Sequence, residues 1–127
     1  MTESVTVADL VKNARLDVYY GKEYLEERTI STADISRPGL ELTGFFNYYP
    51  VKRIQLLGIT EISYSKGMSH EELLDVMQQM CQPQTPAFVV STQLDPPEEL
   101  LEAAKEQHLP VLGSKLTPSR VLSNMTN

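Results

Sequence analysis

This sequence predicts an α/β fold, a three-layer-like domain with a partly parallel mixed sheet, and three observations predict it. The second half alternates helix, strand, helix, strand, helix. Successive strands joined by crossover helices pair in parallel, with a right-handed connection. Ala87-Phe88-Val89-Val90-Ser91 is apolar almost throughout, as a strand covered on both faces must be. The first half is built of shorter, irregular segments, so the sheet is expected to be mixed there. At 127 residues the chain can bury one core and not two.

Taken in order, Thr6 is placed to cap a helix, with Asp9 three residues on in a box-like arrangement. Val7, Leu10, Val11 and Ala14 then share one helical face. Leu16-Asp17-Val18-Tyr19-Tyr20 alternates as a strand and is closed by Gly21. The charged run from Lys22 to Arg28 suits a turn or a short helical piece, and Arg28-Thr29-Ile30 a second short strand.

Residues 34–58 hold three of the six glycines, two of the three phenylalanines and two of the six tyrosines. Arg37 precedes a proline and is biased towards an extended conformation. Pro38 fixes its own φ, and Gly39 is free to enter conformations closed to other residues. Leu40, Leu42, Gly44, Phe45 and Phe46 are expected to supply core volume, and Ile54-Gln55-Leu56-Leu57-Gly58 a buried strand. Ile59 to Ser65 fits a strand extension or a short helix.

Ser69 with Glu72 three residues later marks a helix start. Leu73, Met77, Met80 and Cys81 fall on one side of that helix, as core filling rather than a metal or redox site. Residues 82–86 carry two prolines and break it. Asp95-Pro96-Pro97-Glu98 opens another helix, because proline is tolerated in the first turn. Leu100, Leu101 and Ala104 make its buried stripe, and its early acids suit the helix dipole. Leu109-Pro110-Val111-Leu112 is a short buried strand, and Thr117-Pro118 caps a last helix aligning Val121, Leu122 and Met125.

The formal net charge is −6, which opposes unselective binding to nucleic acid or to an anionic membrane. Lys52-Arg53 is the only basic doublet. No segment reaches the roughly 20 apolar residues of a membrane helix, and the first residues lack the pattern of a secretory signal. The single cysteine, Cys81, excludes an internal disulfide and fits a reducing compartment. A soluble, cytoplasmic protein is expected. Asn124-Met125-Thr126 matches the glycosylation pattern, which carries no weight without a secretory route.

No catalytic constellation emerges. There is no GxxxxGK[ST] phosphate loop, since Gly21-Lys22 is followed by Glu23, and there is no GxGxxG. His70 and His108 lack metal-ligand spacing, and no metal site is expected. Ser63 to Lys66 has S-x-x-K spacing without its companion motifs. Glu71-Glu72 and Glu98-Glu99 sit at helix starts, where the dipole accounts for them. The one candidate site is the loop at Ser36, Arg37 and Gly39. It is either a tight turn with a solvated or salt-bridged arginine, or a shaped loop offering a hydroxyl, a guanidinium and amides to an anion.

Three blocks of sequence resemble a known family. They are Ser4 to Val11, Asp34 to Gly44 with Tyr48 to Gly58, and Thr85 to Val89 followed by Pro97-Glu98-Glu99 and Pro110-Val111-Leu112. Together they resemble the amino-terminal domain of bacterial HPr kinase/phosphorylase, over nearly the whole chain. The resemblance implies an enzyme of carbon catabolite control that phosphorylates a serine of the phosphocarrier HPr and reverses the modification by phosphorolysis. It implies ATP or pyrophosphate with Mg²⁺ as cofactors, and a homo-hexamer, both belonging to a carboxyl-terminal P-loop domain that residues 1–127 lack. The last helix from Pro118 looks cut short in the same light. No catalytic residue is therefore carried onto this chain, which is expected to be a non-catalytic regulatory or interaction domain. The family's amino-terminal domain is similar to the substrate-binding domain of Mur ligases, where a Ser/Thr-Arg element and a glycine turn hold a uridine nucleotide. By that analogy Ser36, Arg37 and Gly39 would bind a nucleotide-sugar or a phosphorylated metabolite. Fold analogy by itself does not license function.

Overall fold

The computed structural model of the chain describes residues 5–30, 35–117, 119–121 and 123. Strands β1 (Val5–Thr6) and β3 (Thr29–Ile30) form a small antiparallel pair. The main sheet contains β2 (Asp17–Tyr20), β4 (Ile35–Ser36), β5 (Ile54–Leu57), β6 (Phe88–Val90) and β7 (Val111–Gly113), in the order β2-β7-β6-β5-β4. From β4 to β7 every pairing is parallel, and β2 closes the far edge antiparallel to β7. The mixed character of the main sheet thus comes down to one antiparallel edge strand. Its register shifts between Val18 and Tyr20.

Neighbouring residues of a strand point to opposite faces, and this period divides the core in two. Leu57, Phe88, Val90 and Val111 pack under α2 (Gly39–Leu42), α3 (Ile59–Lys66), α4 (His70–Met80) and α5 (Glu98–Gln107). Ile54, Leu56, Val89 and Leu112 face the other way, against Val7 and Ala14 of α1 (Val7–Ala14), with Leu25 and Val121. The domain therefore has three layers, helices on both sides of the sheet. Each fully buried large side chain among these, such as Phe88 or Leu56, contributes about 1.5–3 kcal/mol relative to exposure.

The capping signals act as expected. The Thr6 hydroxyl accepts from the Asp9 amide while the Asp9 carboxylate accepts from the Thr6 amide. The Ser69 hydroxyl accepts from the Glu72 amide at the start of α4. Residues 59–65, ambiguous from sequence, form α3. Leu73, Met77, Met80 and Cys81 are all buried, as core. In α5 the buried stripe is Leu100, Ala103 and Ala104, with Leu101 only half-buried. Of the last helix, Val121 is buried; Pro118, Leu122 and Met125 lie outside the described residues.

Two glycines hold close approaches between edge elements. Gly21 has φ 90°, and a Cβ there would lie 2.8 Å from the Cα of Pro110. A Cβ on Gly113 would run into the Tyr19 ring, which covers β7. One expectation fails at the centre of the chain. Leu42 is buried, but Leu40 and Phe45 are exposed and add no core volume. The four-residue α2 can turn only one side towards the sheet, and Leu42 occupies it. No helix among the described residues is long and apolar enough to cross a membrane.

Candidate functional site

Ser36 ends β4 opposite Gln55 of β5, so Arg37 leaves the carboxyl edge of the sheet. Pro38 has φ −83° and ψ 55°, and the Gly39 amide donates to the Arg37 carbonyl at 2.9 Å. That is an inverse γ-turn, and it opens α2. Gly39 has no positive φ, and a Cβ on it would meet nothing within 4 Å. The conformational freedom expected of Gly39 is not used.

The Arg37 guanidinium donates from Nη2 to Oε1 of Glu61 at 2.8 Å. The same oxygen accepts the Gly58 amide at 2.6 Å, at the start of α3. Glu61 is 7% exposed and Arg37 40%. One carboxylate thus caps a helix and fastens the β4 exit to the β5 exit. Glu61 was not singled out in the sequence, although Gly58-Ile59-Thr60-Glu61 has the N-cap to N3 spacing that signals it. Ser36, Arg37 and Gly39 do lie together, with Arg37 already engaged by a buried acid.

At the opposite, amino-terminal ends of the strands lies a denser knot. Arg28 donates to the carbonyls of Pro83 at 2.9 Å and Thr85 at 2.7 Å, and also to that of Gln107. Burial lowers its pKa from the ordinary arginine value. Thr85, fully buried, donates to the Val51 carbonyl at 2.7 Å. Tyr49 donates to the Met80 carbonyl at 2.6 Å, and burial pushes its phenol pKa up. Gln55 donates to the carbonyls of Pro50 and Arg53, both at 3.0 Å. Its Oε1 is buried without a hydrogen-bond partner among the described residues. Partners here are 31 to 79 residues apart for Arg28, Tyr49 and Thr85, which hides the knot from any local pattern.

Both histidines make contacts between elements, and the cysteine lies in the core. Nδ1 of His70 lies 2.8 Å from Oε2 of Glu99, linking the starts of α4 and α5. The contact raises the His70 pKa, and a backbone hydrogen bond followed by His70 lowers that of Glu99. His108 caps α5 in the left-handed region and stacks on Tyr24 at 4.6 Å. Cys81 is buried, and burial pushes its thiol up to about 12, far from a reactive thiolate. Among the described residues no group of three or more His, Cys, Asp or Glu could hold a metal ion. Gly21-Lys22 does not fit a nucleotide phosphate. It packs on Pro110 and leads into a three-residue 3₁₀ turn rather than a helix start, so a cradle of convergent amides is not formed.

One surface stands apart. Between α2, the end of α3 and α4 runs a groove lined by Thr43, Gly44, Tyr64, Met68, Glu72 and Asp75, with Leu42 and Val76 at its floor. Phe45 follows the lining residue Gly44 in the chain, and its ring lies 6.1 Å from that of Tyr48. Leu40, Phe45, Tyr48 and Tyr64 are 65%, 42%, 83% and 50% exposed.

A family model described as the HPr serine kinase N terminus matches residues 5–127. HPr kinase/phosphorylase of Levilactobacillus brevis is 74% identical over 127 residues, and that of Lactiplantibacillus plantarum 64%. The Lacticaseibacillus casei protein of the same name is 54% identical over 126 residues. The chain is covered at 99–100% in each case and spans 40% of each relative. Among solved structures, the CBS and DRTGG domains of the regulatory region of Clostridium perfringens pyrophosphatase, complexed with the activator diadenosine tetraphosphate, superpose with a TM-score of 0.61. That likeness covers 95% of this chain and 46% of the other, at 11% identity, and shows the fold alone.

Proposed function

The chain belongs to the HPr serine kinase amino-terminal family, and on that premise we propose that it acts as a regulatory and interaction domain of an HPr kinase/phosphorylase, without chemistry of its own. The observation that carries this is coverage. The family match runs from residue 5 to residue 127, and it corresponds to 40% of relatives that bear the enzyme's name. In this reading residues 1–127 are the amino-terminal domain of an enzyme of carbon catabolite control. ATP or pyrophosphate, Mg²⁺, HPr turnover and hexamer formation belong to a carboxyl-terminal P-loop domain. A cytoplasmic setting accords with the free, buried Cys81.

A ligand at Ser36, Arg37 and Gly39 is the weaker reading. An anion reaching Arg37 through Nη2 would compete with Glu61, whose carboxylate is also tied to the Gly58 amide. The geometry favours a structural corner.

The test is an assay of the purified chain beside the full-length L. brevis enzyme, with HPr and either ATP or pyrophosphate, and with phospho-HPr and inorganic phosphate. We expect turnover by the full-length enzyme only. Phosphoryl transfer needs a phosphate cradle, a lysine and a metal-holding group set together, and this sequence lacks that set. Turnover by the chain, surviving a check for host kinase, overturns the proposal.

A further inference from the structure

We propose that the aromatic groove between α2, α3 and α4 docks a cationic amphipathic segment of a partner protein. The inference rests on the regulatory reading above and gives that reading a surface and a kind of partner.

Apolarity is the first reason. Tyr48 contacts Phe45, Phe45 follows the groove residue Gly44, and Tyr64 forms part of the same lining. Tyr64 is exposed in the lining, and Phe45 and Tyr48 are an exposed ring pair that begins one residue after the lining's Gly44; exposed apolar groups beside a groove mark interaction sites. Charge is the second reason. Glu72 and Asp75 of α4 line the groove, and no Lys, Arg or His lines it among the described residues. Carboxylates beside an apolar trough favour Lys or Arg flanking apolar anchors, and a helix laid in a groove presents them at positions i, i+3, i+4 and i+7. The same charge argues against other occupants. A second copy would bring the same acids to the same place, on a chain of net charge −6. Nucleic acid and anionic lipid are repelled likewise.

The wall at the end of α2 is fixed locally: the Thr43 hydroxyl donates to the Leu40 carbonyl at 2.6 Å, and Gly44 takes φ 97°. Met68, half-buried, gives the groove an adaptable wall.

The experiment is an amide chemical-shift titration of the chain with a designed Leu–Lys amphipathic peptide of about four helical turns, and with a Leu–Glu peptide of the same pattern. We expect the Leu–Lys peptide to shift Thr43, Gly44, Phe45, Tyr64 and Asp75 saturably. Tyr64→Ala, and Glu72→Lys with Asp75→Lys, should each weaken it by about tenfold, the loss of one good contact. These positions are exposed, and the unchanged spectrum of the remaining residues checks that the variants fold. Equal binding of the Leu–Glu peptide, shifts centred elsewhere, or no saturable shift overturns the proposal. A full-length relative that still loses control of HPr turnover when its matching domain is removed would then keep the regulatory reading while the groove is discarded. Peptide binding in the groove, with turnover indifferent to domain removal, would discard the regulatory reading and keep the groove.

Discussion

Arg28 and Arg37 each fasten distant parts of this chain, in opposite surroundings. Arg28 sits at the amino-terminal ends of the strands and donates to three main-chain carbonyls, with burial lowering its pKa. Arg37 sits at the carboxyl ends, 40% exposed, and meets a carboxylate. The first gathers three carbonyls from two separate segments, one through a part-buried bond and two nearer the surface. The second is an ion pair whose solvent side is open to screening. The number and nature of the acceptors, rather than the residue type, therefore decide which arginine the fold depends on. Three acceptors left without their donor cost more than one, and an ion pair open to solvent on one side is worth less than an enclosed one.

The largest expected effect is at the amino-terminal knot. Arg28→Met keeps apolar volume and removes every donor, and should cost about 3 kcal/mol, on the scale of several hydrogen bonds to a charged group with partial rescue by water. Urea unfolding followed by circular dichroism measures it, since the chain has no tryptophan. A loss below about 1 kcal/mol would mean that water replaces Arg28 freely, and the contrast would collapse.

The knot can be probed one bond at a time. Tyr49→Phe leaves the Met80 carbonyl without its donor, and should cost about 1–2 kcal/mol. Thr85→Val does the same to the Val51 carbonyl, with a similar cost. Together the two should cost about the sum if the sites are independent. An excess in the double variant would show that the knot acts as one unit.

At the carboxyl corner, Arg37→Ala should cost about 1 kcal/mol, since it removes one hydrogen bond to the buried Glu61 carboxylate, which keeps its bond to the Gly58 amide. A loss above about 2 kcal/mol would put this corner in the same class as Arg28.

The smallest effect is a pH dependence at the third fastening, His70 with Glu99. The folded pKa of His70 is raised above 6.5, so its contribution is complete below that value and lost as pH rises through the folded one. Glu99 is lowered from 4.5, so its contribution is present above that value and lost as pH falls through the folded one. The difference in Tm between the wild type and His70→Ala should be largest between pH 4.5 and 6.5. It should vanish once His70 is neutral. A difference that grows with pH would assign His70 a packing role instead.

Much of the fold was legible in the sequence because its signals are local. A cap such as Thr6 or Ser69 acts on an amide three residues away, and an apolar run such as Phe88-Val89-Val90 states its own burial. Helices between such runs then dictate parallel pairing. Tertiary structure decided what depends on partners far along the chain. Leu40, Leu42 and Phe45 look alike in sequence, yet only Leu42 is buried, because a one-turn helix has a single inner side and Phe45 lies beyond its end. The Ser36-Arg37-Pro38-Gly39 cluster declared a turn. Whether Arg37 faced solvent or an acid waited on Glu61, 24 residues on. Arg28 gave no signal at all, since its acceptors are main-chain carbonyls, which every residue carries and which only folding brings within reach.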